Sequence, residues 1–99
     1  MKIPNKIQIA GRIVKIIRDD ESLISDGLLG QSRADEDKII LLSNKAYLST
    51  QCMEQTLIHE CIHKINNILS VGSPQNSEEY VNPLSELLYQ VFKQIESKN

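Results

Sequence analysis

The chain has 99 residues, 40% hydrophobic and 24% charged, with a formal net charge of −2, a balance that fits one small globular domain and excludes a disordered segment. No basic block is present, which argues against a nucleic-acid grip built on phosphate neutralisation. The longest apolar run, Ile39 to Leu42, is far too short to cross a bilayer, so no membrane partner is expected.

With no Trp, one Phe (Phe92) and three Tyr (Tyr47, Tyr80, Tyr89), the core must rest on Ile, Leu and Val. A bound metal would add stability that so small a domain needs. The opening MKIPNKIQIAGRIVKII alternates polar and apolar residues and lacks the apolar stretch of a secretory signal, so a cytoplasmic location is expected. Cys52 and Cys61 stand nine residues apart on one expected helix, about 180° apart at 100° per residue. They cannot bridge each other and are read as reduced thiols.

In chain order, residues 6–18 carry Ile7, Ile9, Ile13 and Ile16 or Ile17 among polar neighbours, which predicts a strand with a bulge or bend at Gly11. Asp19 to Ser22 is a polar break, Ser25-Asp26-Gly27 a turn, and Leu28 to Arg33 a second short strand. Ala34 to Asp37 reads as a charged turn and Lys38 to Leu42 as a third strand, giving a small, mostly antiparallel three-stranded sheet within 6–42. A helix follows from near Thr50, an N-cap type of residue, to about Ser70, ending before Gly72 and Pro74. Gly72 to Asn76 is a loop. A last helix covers Glu78 or Pro83 to Ser97, with Val81, Leu84, Leu88, Val91 and Ile95 at helical spacing. The expected fold is a single α+β domain over residues 1–99, its sheet packed on the 50–70 helix and the 78–97 helix.

The chemistry concentrates in His59-Glu60-Cys61-Ile62-His63, the H-E-x-x-H pattern. A helix sets residues four apart side by side, so His59 and His63 can present imidazoles to one zinc ion. Glu60 then lies beside that ion, placed to take a proton from zinc-activated water and pass it to a leaving amine. Cys52, Gln55, Thr56, His59, His63 and Asn66 share one helix face, while Leu57, Ile58, Cys61, Ile62, Ile65, Ile68 and Leu69 fill the other, dividing it into groove and core.

A catalytic zinc keeps three protein ligands and one open position. The chain has no third His, so the remaining ligand must be a carboxylate or Cys52. Cys52 lies two turns away, about 10 Å along the axis, which makes ligation improbable. Against the apolar stripe of the last helix, Glu78 lies near the edge and Glu79 and Glu86 more nearly opposite. Glu78 is the first choice and Glu79 the second, because a bend at Pro83 would alter the phase. Tyr47 and Tyr89 are weighed as phenol donors to a tetrahedral intermediate but read more readily as core or rim residues.

The runs DGLLGQSRADEDKIILLSN, EQTLIHECIHKI and SEEYVNPLSELLYQVFKQ resemble the short zincin-like proteins common in phages and prophages. Those share a glycine-containing strand, a helix of the form TLLHEIIHAI, and a final helix with an E-x-x-V element and L-Y-Q. The likeness spans roughly residues 12 to 95. It implies a minimal zincin fold, with His59 and His63 as zinc ligands and Glu60 as general base. It also favours Glu78, the acid three residues before Val81.

Two departures stand out: Pro83 inside the final helix, and Lys64 where Ala is usual, read as a surface-compatible change. The resemblance further implies an edge strand that takes an extended peptide by strand addition, with Lys38 to Leu42 as the candidate. The function expected is a zinc-dependent metallopeptidase acting on a protein or peptide in the bacterial host cytoplasm. The alternative is a catalytically inactive, zinc-containing protein-binding module of a phage or mobile element.

Overall fold

A computed structural model describes residues 2–97; Met1 and the last two residues of the expected 1–99 domain lie outside the described residues. The predicted first strand is two strands, β1 (Lys6–Ile9) and β2 (Arg12–Arg18), paired antiparallel with Ile9 opposite Arg12. The chain reverses through Ala10 (φ 52°) and Gly11 (φ 76°). Two consecutive left-handed residues are what a two-residue hairpin needs to match the right-handed strand twist. Asn-Gly is the usual signal for that turn, and Ala-Gly hides it.

The polar break after β2 is instead a short helix, α1 (Asp20–Ser25), whose N-cap Asp19 accepts a hydrogen bond from the Ser22 N–H. Asp20 reaches across to the end of the sheet and accepts from both the N–H and the hydroxyl of Ser43, each at 2.7 Å. Next come β3 (Gly30–Ser32) and β4 (Lys38–Leu41). Among the described residues they complete a four-stranded sheet of order β1-β2-β4-β3, in which β2 and β4 are parallel and the other pairs antiparallel. The sheet thus has four strands rather than the expected three, and one of its three pairings is parallel. The parallel pair exists because α1 and β3 intervene, giving the chain room to return in the same direction.

This order also corrects the candidate edge strand. β4 is interior, and β3 is the edge on its side of the sheet. The unbroken run Ile39-Ile40-Leu41-Leu42 is buried throughout. Ile39 and Leu41 pack with Val14, Ile16 and Leu57, while Ile40 and Leu42 pack with Leu23, Tyr47 and Met53. A strand covered on both faces reads as continuous apolar sequence rather than as alternation.

Ser49, rather than Thr50, caps α2 (Thr50–Ile68), accepting from the Cys52 N–H at 3.0 Å. The last helix, α3 (Glu78–Ser97), runs through Pro83 without a break, so the earlier of its two expected starts holds. Ile58 and Ile62 of α2 pack against Val81, Leu88 and Tyr89 of α3. Lys64 is not a surface residue. It is 1% exposed, and its ammonium donates to the backbone carbonyls of Arg33 and Glu36, tying the β3–β4 loop to α2. No helix among the described residues is long and apolar enough to cross a membrane.

Candidate metal centre

α2 and the start of α3 form one wall of a cleft of about 800 Å³, and β3 with the residues leading into it forms the other. His59 and His63 point into the cleft from successive turns of α2. Glu78, in the first turn of α3, reaches both: Oε2 lies 3.0 Å from His59 Nε2 and Oε1 2.8 Å from His63 Nε2. The two imidazole Nε2 atoms are themselves 3.2 Å apart. The structure therefore brings His59, His63 and Glu78 together. Glu79 and Glu86 lie outside this group, and Cys52 lines the cleft without joining it. Neither phenol lines the cleft: Tyr47 donates to Leu29 O and accepts from Leu42 N, and Tyr89 donates to Glu54 Oε1.

His63 Nδ1 lies 2.8 Å from Asn76 Oδ1, and the same oxygen accepts from Asn66 Nδ2 at 3.0 Å. Asn76 Nδ2 in turn faces Asn67 Oδ1 at 3.4 Å. With the amide oxygen turned to the ring, Nδ1 donates to it, and in the neutral form of the ring Nε2 keeps its lone pair. That lone pair faces a carboxylate oxygen and a second imidazole nitrogen. Such a cluster is held together by a cation among the three atoms, either a metal ion or the extra proton of an imidazolium. Bonds of about 2.0–2.1 Å to a tetrahedral zinc set its ligand atoms about 3.3 Å apart, close to the observed 2.8–3.2 Å. The donor set fits zinc, and Asn76 supplies the outer hydrogen bond that metal-ligating histidines ordinarily make.

Glu60 is 7% exposed. Burial pushes its carboxyl up to about 7, with His63 pulling it down, Glu78 raising it and the Ser32 backbone N–H lowering it again. A carboxyl held there can accept and return a proton near neutral pH. Its position depends on Gly30. A Cβ on Gly30 would stand 2.8 Å from Thr56 Cγ2, 3.1 Å from Glu60 Cγ and 3.3 Å from Glu60 Oε2. Only a residue without a side chain lets edge strand β3 lie this close to the helix.

The neighbouring Ser32 hydroxyl, in the same wall, is buried with no hydrogen-bond partner among the described residues. Both cysteines are free, and burial pushes the Cys61 thiol up to about 11, so it is an inert core group.

Gly30 and Asn76 carry no role in the sequence-based expectations, and Lys64, expected at the surface, is buried. Gly30 stood in plain view as the second glycine of Gly27-Leu28-Leu29-Gly30, where a strand glycine signals close backbone approach. Asn76 and Lys64 carry no local signal, since their partners lie in other segments. Comparison with known protein families, with curated proteins and with solved structures finds no match.

Proposed function

We propose that this protein is a zinc-dependent peptide hydrolase in a zincin-like arrangement, with His59, His63 and Glu78 as metal ligands and Glu60 as general base. The observation that carries this reading is the meeting of three lone-pair donors at 2.8–3.2 Å beside a buried carboxylate. Bound there, zinc supplies Lewis acidity that activates water and polarises a substrate carbonyl. Glu60 takes the proton from the attacking water and delivers it to the departing amine, a task suited to a carboxyl near neutrality. Asn76 holds the His63 ring, and Gly30 lets β3 pass close enough for its wall to position both Glu60 and substrate.

Peptide is the substrate class because β3 is an edge strand lining the cleft, the kind of strand beside which an extended chain can lie. This moves the strand-addition role from Lys38–Leu42 to Gly30–Ser32. Apart from the ligands and Glu60, the described cleft residues are uncharged, including Leu28, Leu29, Gln31, Gln51 and Gln55. A neutral stretch of peptide suits such walls, since a charged side chain would lose solvation there without a counter-ion.

The test compares the native chain with Glu60→Gln for zinc content and for cleavage of a broad peptide library. One zinc per chain in both forms, with cleavage confined to the native one and concentrated at uncharged segments, is expected. Equal zinc with no cleavage by either form would leave a binding module and refute the hydrolase. Failure to take up zinc under metal-replete, neutral conditions would refute both.

A further inference from the structure

Helix α3 is apolar over a wider arc than its contact with α2 uses. Val81, Ser85, Leu88 and Tyr89 face α2. Beside them Tyr80, Leu84, Leu87, Val91 and Ile95 form a second stripe, each 44–59% exposed. Their spacings of four, three, four and four residues match the alternation by which one helix offers a seam to another. The stripe runs for about 22 Å at 1.5 Å per residue. We propose that this seam is a self-association surface, through which two copies of the chain pair helix to helix about a two-fold axis near Leu87.

Three observations select a second copy. The spacing calls for a helical partner, and the chain's other long helix, α2, is already covered by the sheet and α3. Next to the seam on its solvent side stand Pro83, Gln90 and Gln94, while Glu79, Glu86 and Lys93 lie farther round. A symmetric pair therefore brings no like charges face to face, the usual obstacle to self-pairing.

The third observation is area. Five half-exposed side chains offer on the order of 500 Å² per copy, or about 1,000 Å² for the pair when fully covered, the lower bound for a biological interface. Two-fold pairs are the commonest assembly of identical chains. The inference does not depend on the hydrolase reading.

Sedimentation velocity and light scattering of the full chain between about 1 and 100 μM test it. A concentration-dependent shift to twice the chain mass is expected. Leu87→Glu, placed on the axis and counted twice, should weaken dimerisation about a hundredfold or more while circular dichroism stays native. Gln90→Glu, off the seam, serves as the control. A native chain that stays monomeric throughout, or that grows past the dimer without closing, overturns the proposal. So does a Leu87→Glu chain that still dimerises. Should the Leu87→Glu chain unfold, Leu87→Gln repeats the measurement without a charge, and undiminished dimerisation of that folded variant overturns the proposal.

Discussion

Replacing Gly30 with Ala probes the contact between the edge strand and the Glu60 carboxylate through a single methyl group. The backbone of β3 accepts Ala without strain, so the effect is steric. The new Cβ would lie 2.8 Å from Thr56 Cγ2 and 3.1 Å from Glu60 Cγ, both inside ordinary carbon–carbon contact. Thr56 cannot simply rotate away, because its hydroxyl donates to Cys52 O at 2.7 Å and fixes the methyl toward Gly30. Overpacking of this kind costs roughly 1–3 kcal/mol. Reduced freedom of the unfolded chain returns about 0.4–1 kcal/mol.

The expected net loss is about 1–2 kcal/mol, or roughly 5–10 °C in melting temperature for a domain this size. Urea titration of Gly30→Ala, Thr56→Ser and the double variant measures it. Thr56→Ser keeps the hydroxyl and removes the methyl, so the double variant should recover most of the lost stability. Peptide cleavage should stay depressed in the double variant, since the crowding of Glu60 remains. Gly30→Ala at native stability, or a double variant no better than the single, would refute this account.

Three further outcomes follow from the same geometry. Asn76→Ala, freeing the His63 ring, should weaken zinc binding about 10–100-fold in a chelator competition, with Asn76→Asp retaining tight binding because a carboxylate accepts the same N–H. In metal-free protein, Glu60 ionises near 7 when folded against 4.5 when unfolded, so the folded state holds a proton that the unfolded state has released across that window. Stability should therefore fall as pH rises from 4.5 to 7, by about 3 kcal/mol, and Glu60→Gln should flatten the decline in urea midpoints; a rise over the window would contradict it. At the hairpin, Ala10 holds φ 52°, so Ala10→Asn, a residue that visits this region readily, should stabilise the chain by about 0.5–1 kcal/mol in thermal or urea melts.

Features that depend on local periodicity are legible in consecutive residues. His59 and His63, four apart on one helix, had to share a face whatever surrounded them, and Glu60 had to lie beside them. The phase of Glu78 against Val81 and Leu88 is equally local and favours it over Glu79, but that order held only because α3 runs through Pro83 without a break.

Features that depend on neighbours remote in sequence emerge only in the folded chain. Strand order made β4 interior and β3 the cleft edge, although Ile39 to Leu42 already carried the sign in its unbroken apolar run. The buried ammonium of Lys64 is intelligible only once the carbonyls of Arg33 and Glu36 come to meet it, and Asn76 only once its loop reaches His63. Helical spacing is written into consecutive residues, whereas a hydrogen bond or a strand pairing between distant segments exists only after the chain has closed on itself.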